Sequence, residues 1–299
     1  MRIQDEKLAR WSGRILMLGS AVSFSTIGIF TEIVKLPLSD VLFVRGIFGA
    51  AAIWVVARLL TKERVTDRKS YTWPSLLVAT LFTVGMVSLV AGYRIGAVAN
   101  VAVVYATTPI IVAIFLKVFL REEQSTSLWY SGIGVAIGVA IMMWRDKNSS
   151  NYIAMLLAFL MSICVAGVIV IARNYKATPM LVASMIACLL SSVIAFPFMA
   201  SIPNDLSSIA TCALFGTVTL GLGRVFLIIG ARRIPPGEAA LIDVLDAPMT
   251  PVWSWLILGM RPTDQAIVGG SIVVICVMLG IAFAQGARAL SDGDLANSD

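Results

Sequence analysis

The sequence predicts an all-α integral membrane protein in which ten transmembrane helices form two inverted five-helix repeats around a central cavity. Composition is the first observation behind this prediction. Of 299 residues, 59% are hydrophobic and only 13% are charged, and the mean hydropathy is +0.90. Soluble domains carry about 25% charged residues, so the composition favours a lipid environment. The second observation is that apolar runs of about 20 residues, the length that crosses a bilayer, recur from end to end.

Short polar breaks containing proline, glycine or charged residues separate these runs. The predicted spans are 13–34, 38–60, 74–94, 97–120, 126–144, 152–172, 178–200, 207–230, 236–259 and 264–286. Because five is odd, a duplicated five-helix half must sit upside down relative to its twin, as in the inverted repeats of secondary transporters. We therefore expect a first repeat over 1–145, a second over 146–290 and a disordered tail over 291–299.

Basic residues predict the orientation of the chain. With the N-terminus in the cytoplasm, sixteen of the 23 Lys and Arg residues fall in cytoplasmic segments, five in external segments and two within spans. Cytoplasmic loops favour Lys and Arg, so both termini are predicted to be cytoplasmic and the protein to lie in the inner (plasma) membrane. Loops 145–151 and 201–206 are then external. The net charge of +6 reflects this asymmetry and does not indicate a nucleic-acid partner.

The chain lacks the residues that several classes of function require. The chain contains no histidine, and its four cysteines fall inside or at the edge of spans without a C-x-x-C spacing. We therefore predict no metal, no cofactor and no enzymatic activity. No phosphate-binding G-x-x-x-x-G-K-[ST] motif occurs, which argues against an ATP-driven pump. The fragment G-L-G at 221–223 is interpreted as close helix packing by small residues.

The segment AALIDVLDAPMTPVWSWL, residues 239–256, is unusual because it places two acids within an apolar run. Asp243 and Asp246 are three residues apart and share one helix face. Helix counting puts Asp243 at a depth similar to that of Arg224 on the preceding span. Three interpretations stay open for Arg224: an ion pair with Asp243 that locks the hairpin, an inner gate or anion site that grips a carboxylate or phosphate, and snorkelling to the cytoplasmic face.

Asp246 lies near mid-span, about 15 Å from either face at a rise of about 1.5 Å per residue. Intramembrane acids usually face a cavity or a partner, so we expect Asp246 to line the cavity. With no histidine available, Asp246 is also the predicted carrier of coupling protons. The alternative is a packed, protonated acid that bonds to a backbone carbonyl.

Prolines at 109, 248 and 251 are predicted to break the fourth and ninth spans. A proline within a helix removes the hydrogen bond to the carbonyl four residues earlier, which would free the carbonyls of Val244 and Ala247. Broken helices in membranes are tolerated where they border a cavity or other protein. The breaks therefore indicate a binding region.

The two halves align at an offset of 139 residues. Segment 93–109 then lies over 232–248, matching Arg94 with Arg233 and Pro109 with Pro248. The same offset places Thr107 opposite Asp246, so the acids are specific to the second half. Thr107 is also counted among the tentative substrate or coupling residues.

Other candidates for the cavity are weaker. Asn100 and Tyr105 on the fourth span and Ser25 on the first either line the cavity or bond between helices, which is common in bundles. Trp253 and Trp255 lie near the outer interface, where an aromatic belt is expected.

Both halves end in similar motifs: a short basic turn, small residues, a proline, an apolar run and a glycine-rich closing helix. These are GYRIGAVANVAVVYATTPIIVAIFLKVFLREE with SGIGVAIGVAIMM, and GARRIPPGEAALIDVLDAPMTPVWSWLILGMRPT with GGSIVVICVMLG. They resemble the EamA-type repeat of the drug/metabolite transporter superfamily. The resemblance implies a ten-helix carrier with a central cavity. In the second repeat, Met260 and Arg261 stand where the family pattern has glycine and glutamate.

The predicted function is a secondary transporter of a small polar metabolite, an amino-acid or related metabolite exporter that works by alternating access. The alternatives are an uncoupled facilitator or channel for small solutes, and an importer of amines or organic anions. The expected partners are a small-molecule substrate, the lipid bilayer and protons as the coupling ion. Nothing in the sequence fixes the oligomeric state, and a monomer is favoured.

Overall fold

A computed structural model describes residues 2–60, 72–95, 101, 104–105, 107–122, 126–143, 152–175, 177–199, 205–259 and 264–296. These residues form helices joined by turns, and no strand occurs among them. Their α-helices are α1 (Arg2–Ser25), α2 (Ile27–Ile33), α3 (Leu38–Leu60), α4 (Trp73–Ile95), α5 (Thr108–Leu120), α6 (Thr126–Met143), α7 (Tyr152–Asn174), α8 (Met180–Ala195), α9 (Leu206–Phe215), α10 (Arg224–Ala231), α11 (Pro236–Asp243), α12 (Asp246–Leu258) and α13 (Asp264–Ala296). A 3₁₀ turn, Phe196–Phe198, follows α8, and a π-helical segment, Gly216–Gly223, joins α9 to α10.

Six predicted spans, the first to third and the sixth to eighth, are present as apolar stretches long enough to cross a membrane. They are Leu8–Thr31, Leu38–Leu59, Trp73–Ile95, Tyr152–Asn174, Met180–Phe198 and Leu206–Ala231. In the fourth, fifth and tenth spans the apolar helices are shorter, at Thr108–Leu120, Trp129–Ile141 and Ile267–Gly280. The ninth span is divided between α11 and α12. Six of the ten predicted spans are therefore confirmed as long apolar helices among the described residues, and the count of ten stays a prediction.

The helices pack in a pattern that is preserved when the two halves are exchanged. Helix α3 packs on α8, and α6 packs on α13, so the second and fifth helices of one half meet their counterparts in the other. Helix α4 packs on α7, and the equivalent exchanged contact joins α1 to the π-helical segment and α10. This exchange relation is what two repeats of one structural unit produce.

Glycines allow the eighth span to approach its neighbours closely, which confirms the interpretation of the G-L-G fragment. A Cβ added to Gly221 would lie 2.5 Å from the Cβ of Ala52, and one added to Gly223 would lie 3.0 Å from the Cβ of Ser23. At Gly216 the added atom would meet the backbone carbonyl oxygen of Arg45. Small residues at helix contacts are common in membrane bundles because they let backbones come together.

Three boundaries differ from the predictions. Helix α1 begins at Arg2, well before the predicted start at 13, and the first span has a break at Thr26 between α1 and α2. Helix α13 continues to Ala296, so most of the tail expected to be disordered is helical. Helix boundaries are decided by local hydrogen bonding and packing, which a hydropathy pattern does not record.

Large apolar side chains are exposed along the outer faces of the bundle. Examples are Leu156, Val193 and Phe283, each with more than 60% of its surface exposed. A water-soluble protein rarely presents contiguous apolar surface of this extent, whereas lipid tails cover it at no cost. The polar groups described below lie instead between the helices.

Candidate functional site

The acidic segment of the ninth span folds as two short helices. Helix α11 ends at Asp243, a turn covers the next two residues, and α12 begins at Asp246. The carbonyl of Val244 accepts a hydrogen bond from the N–H of Ala247 at 3.1 Å. The prediction that this carbonyl is free is therefore wrong, because the turn supplies a donor three residues later.

Two prolines occupy the first turns of helices. Pro109 is the second residue of α5, and Pro248 is the third residue of α12. The N–H groups of a first helical turn have no intrahelical acceptor, so proline costs little at such positions. Pro109 and Pro248 therefore begin helices instead of interrupting them, which corrects the prediction for both. Pro251 lies inside α12, which continues through it to Leu258, so the break predicted at this proline does not occur.

Tyr105 and Asp243 form a hydrogen bond between the two halves. The Tyr105 hydroxyl donates to Oδ2 of Asp243 at 3.4 Å, which is long for an O–H···O bond. The other carboxyl oxygen, Oδ1, is buried and has no hydrogen-bond partner among the described residues. The structure thus brings two of the sequence-predicted site residues together and leaves one acceptor of Asp243 available.

Arg224 does not form the expected ion pair. Neither of the salt bridges found among the described residues includes Arg224 or Asp243. The guanidinium carbon of Arg224 lies 4.3 Å from the ring centroid of Phe82 and 5.8 Å from that of Phe24. Arg224 remains close enough to Asp243 and Tyr105 for a Coulombic interaction. Of the three interpretations, the direct ion pair with Asp243 is therefore not observed, and aromatic faces take the place of the carboxylate in contact with Arg224.

Asp246 belongs to the same polar group. It is close enough to Asp243, and to the hydroxyls of Tyr93 and Tyr105, for electrostatic interaction. Its backbone carbonyl accepts a hydrogen bond from the hydroxyl of Thr250 at 2.9 Å. The two acids and two tyrosines therefore form one cluster at the break of the ninth span, which we call the acidic cluster.

The remaining predicted site residues have smaller roles in this geometry. Thr107 precedes α5, and its hydroxyl donates to the carbonyl of Val104 at 2.7 Å. This hydroxyl is therefore satisfied locally by backbone. Asn100 lies outside the described residues.

The π-helical segment was not foreseen from the sequence. It runs from Gly216 to Gly223 and ends where Arg224 begins α10. Its Thr219 hydroxyl accepts a hydrogen bond from Nη2 of Arg45 at 3.2 Å and donates to the Phe215 carbonyl at 2.7 Å. π-Bulges occur frequently at functional sites, since they rotate the following side chains relative to an α-helix. The sequence feature that marked this stretch was its closely spaced glycines, which were interpreted only as close helix packing.

A second unforeseen feature joins the breaks of the first and ninth spans. The hydroxyl of Thr250 donates to the Ser25 carbonyl at 3.2 Å, and the indole N–H of Trp253 donates to the Ser25 hydroxyl at 2.8 Å. Ser25 therefore bonds between helices, one of its two predicted roles. Trp253 is held by this bond and is half-buried, which corrects its assignment to an interfacial belt, whereas Trp255 is exposed.

An ion pair links the predicted cytoplasmic ends of the first and ninth spans. Nε of Arg14 lies 2.5 Å from Oε1 of Glu238, whose side chain is only 5% exposed. Helix counting could have suggested this pair, because both residues lie close to the same predicted face of the membrane. Among the residues that the structure describes, no group of three or more His, Cys, Asp or Glu side chains is placed to hold a metal ion.

The fold and this arrangement define a class of protein: a multi-pass membrane protein made of two related halves with polar groups between them. Comparison with protein families identifies it further. The EamA-like transporter family matches the chain twice, over residues 11–144 and 152–282. The protein belongs to this family, so the resemblance noted in the sequence is confirmed. EamA proteins are membrane transporters of the drug/metabolite transporter superfamily.

A solved structure supports the fold assignment. The chain is similar to a protein whose crystal structure matches 92% of this chain and 98% of its own, with a TM-score of 0.77 and 14% sequence identity. At this level of identity the likeness concerns the fold alone. Comparison with curated protein sequences found no match.

Proposed function

We propose that this protein is a secondary transporter that exports a small polar metabolite, an amino acid or a related compound, by alternating access across the inner membrane. The observation that carries this proposal is the hydrogen bond between Tyr105 and Asp243. It joins the two halves at the level where the ninth span is broken, and a buried acceptor of Asp243 is left without a protein partner among the described residues. A solute with N–H or O–H donors supplies the missing partner.

Alternating access requires contacts between the halves that can form and break. The Tyr105–Asp243 hydrogen bond is long, and Arg224 interacts with Asp243 by a Coulombic attraction without a direct salt bridge. These weak contacts contrast with the glycine-mediated packing of α6 on α13, where a Cβ on Gly138 would lie 2.9 Å from the Gly269 carbonyl oxygen. We propose that α6 and α13 stay together while the acidic cluster opens alternately to each side.

Asp246 is the proposed proton carrier. The chain has no histidine, and Asp246 lies among other acidic and phenolic groups between the helices. A carboxyl group in this position can bind a proton on one side of the membrane and release it on the other as its surroundings change. Proton binding would then drive solute movement in the opposite direction.

Proteoliposomes test this proposal. Wild-type protein is expected to accumulate at least one of the twenty common L-amino acids when a pH gradient is imposed, and to lose this accumulation when the gradient is collapsed. Asp246→Asn should still exchange labelled for unlabelled solute but should not concentrate it. Asp205→Asn, which changes an exposed acid at the start of α9, is the matched control and should accumulate like wild type.

Two results would contradict the coupling. One is wild-type flux that ignores the gradient, which would favour an uncoupled facilitator. The other is accumulation by Asp246→Asn equal to that of wild type, which would place the proton site elsewhere.

The proposed topology has ten spans with both termini in the cytoplasm. Single-cysteine variants at Ser149 and Arg68, made in a background without the four native cysteines, test it in intact cells. A membrane-impermeant maleimide should label position 149 from outside and should label position 68 only after the cells are opened. The reverse pattern would overturn the orientation.

A further inference from the structure

Arg45 on α3 is a buried cation whose hydrogen-bonding capacity is mostly unused. Its side chain belongs to a residue that is only 3% exposed. Nη2 donates to the Thr219 hydroxyl at 3.2 Å, and the guanidinium carbon lies 4.2 Å from the ring centroid of Phe215. Nε and Nη1 are buried and have no hydrogen-bond partner among the described residues. Those two atoms carry most of the N–H donors of a guanidinium.

The charge of Arg45 is also uncompensated by acids. Its electrostatic neighbours in the described part of the chain are the thiols of Cys188 and Cys212 and the guanidinium of Arg224. The acid that precedes it on α3, Asp40, accepts a hydrogen bond from Ser39 at 3.1 Å. The charged side chain within electrostatic range of Arg45 among the described residues is therefore a second buried cation, Arg224, and not a carboxylate.

Arg224 also has no direct acidic partner among the described residues, and Asp243 reaches it only by a longer-range Coulombic interaction. Arg224 is 8% exposed and rests on the ring of Phe82. By contrast, Arg14 and Arg173 are each paired directly with a glutamate. Arg14 and Arg173 thus have acidic partners, whereas Arg45 and Arg224 contact aromatic rings.

Two neighbouring buried cations repel each other and each loses hydration, so the arrangement is costly without an anion. Aromatic faces offset only part of this cost. The surrounding structure nevertheless fixes Arg45 in place: Gly216 lets the eighth span contact the Arg45 backbone, and Thr219 of the π-helical segment holds one end of the guanidinium. A cation that is positioned this firmly and left without an anion is suited to bind one that arrives from solution.

We propose that Arg45 and Arg224 together bind the carboxylate of the transported solute. This inference rests on the transport function proposed above and specifies its substrate class: a solute that carries a carboxylate. Charge-assisted hydrogen bonds from guanidinium groups to carboxylates are strong and directional, which makes arginine the preferred residue for this task. Arg224 also lies within Coulombic range of Asp243, so the carboxylate subsite adjoins the acidic cluster. An α-amino acid can place its carboxylate at the arginines and its ammonium at the acids.

The first test uses wild-type protein in nanodiscs and needs no variant. Thermal shift identifies which of the twenty common L-amino acids bind, because a ligand that binds only the native state raises the melting temperature. Each amino acid that binds is then compared with its amide, which lacks the carboxylate charge, by isothermal titration calorimetry. We expect the amide to bind about tenfold or more weakly. Equal binding of the amide would overturn the proposal.

The second test uses substitutions. Arg45→Gln should weaken binding of the same amino acid by about tenfold or more, while Arg45→Lys keeps the charge and should retain part of the affinity. Arg173→Gln removes an exposed arginine and should bind like wild type. If Arg45 served only structure, Arg45→Gln would lower the melting temperature; we expect that temperature to be retained or raised, because an unpaired buried charge is removed. A large loss of stability with unchanged affinity would overturn the proposal.

The outcomes separate this inference from the transport proposal. If none of the amino acids binds, or if phosphate monoesters bind and carboxylates do not, the carboxylate assignment fails. Transport is then examined independently by pH-driven uptake of a mixture of amines, sugars and phosphate esters into proteoliposomes. Uptake of one of these would leave the transport function standing without the carboxylate subsite.

Discussion

The two proline-bearing regions of the molecule, α5 with the residues before it and α11 with α12, share a backbone plan and differ in chemistry. Each has a proline in the first turn of a 13-residue helix. In the first half the residue before α5 is Thr107, whose hydroxyl bonds to the Val104 carbonyl. In the second half the equivalent position is Asp246, and the position equivalent to Val104 is Asp243.

This difference teaches that the scaffold is duplicated whereas the charge is not. Duplication preserves the backbone plan, in which each half has a proline in the first turn of a helix, where proline is tolerated. It does not preserve the acids, which occur only in the second half and are costly in a membrane. Groups that appear in only one half are therefore the better candidates for function, and four measurements follow from this comparison.

The largest effect is expected when the second half receives the side chains of the first. The double variant Asp243→Val with Asp246→Thr should lose gradient-driven accumulation by roughly 100-fold or more, since intramembrane acids are usually functional. Thr107→Val, which removes a hydroxyl bonded to backbone, should stay within about threefold of wild type. Uptake into proteoliposomes measures both. An active double variant would show that the charge asymmetry has no functional role.

The two ion pairs between the halves should differ in strength. Arg14→Met leaves Glu238 buried without a partner and should lower the free energy of unfolding by roughly 3 kcal/mol. Arg173→Met breaks the pair with Glu122, whose partners are 42% and 38% exposed, and should cost about 0–1 kcal/mol. Denaturation in mixed detergent micelles compares them. Equal losses would mean that burial does not distinguish the two pairs.

The packing of α6 on α13 belongs to the scaffold that both halves share, and glycine substitutions test how tightly it is packed. Gly138→Ala would place a Cβ 2.9 Å from the Gly269 carbonyl oxygen, so backbone must move, and we expect a loss of about 1–3 kcal/mol. At Gly270 the added Cβ would lie 3.2 Å from the Cβ of Pro248, and a smaller loss of about 1 kcal/mol or less is expected. Thermal unfolding of the two variants gives the order. The reverse order would contradict this account of the packing.

The smallest effect concerns the capping of equivalent helices, α4 and α9. Side-chain hydrogen bonds from Ser208 and Ser207, with their backbone N–H groups, lower the pKa of Asp205 from 3.8 to about 2. A carboxylate with a lowered pKa in the folded state stabilises above its unfolded value, and this contribution disappears as the pH falls through about 2.

The melting temperature of Asp205→Ala should therefore lie slightly below that of wild type at pH 7, and the gap should close between about pH 4 and pH 2. In α4 the hydroxyl of Ser75 accepts from the Thr72 N–H, so the effect of Ser75→Ala should not depend on pH over this range. A gap for Asp205→Ala that is constant with pH would show that its charge does not matter.

Much of the fold could be predicted because it follows from patterns that do not depend on distant contacts. Apolar length predicted six candidate spans that the structure confirms, and motif order in both halves predicted the family. The breaks were placed less well. Prolines suggested interruptions at 109 and 248, whereas the chain turns just before each one, because proline is tolerated in a first turn and not in a helix interior.

The sequence predicted which residues belong to the site better than it predicted their contacts. Helix periodicity and depth identified Asp243, Asp246 and Arg224 from sequence, with Tyr105 as a weaker candidate, and the structure groups them. The partner of Arg224 was wrong, because counting residues gives depth along a helix and says nothing about which face turns toward which neighbour. The π-helical segment changes that facing between Gly216 and Gly223, and no depth argument includes such a rotation.

The sequence by itself determined that the protein lies in lipid, that it consists of two repeats, and which few polar residues its apolar spans carry. These depend on composition and on spacing along one chain. Only the tertiary structure decided that Tyr105 meets Asp243, that Glu238 pairs with Arg14, and that Arg45 comes within electrostatic range of Arg224 and of no acid in the described part of the chain. The physical reason is that each of these contacts joins residues far apart in sequence, through helix rotations and close approaches that small side chains permit and that no local pattern records.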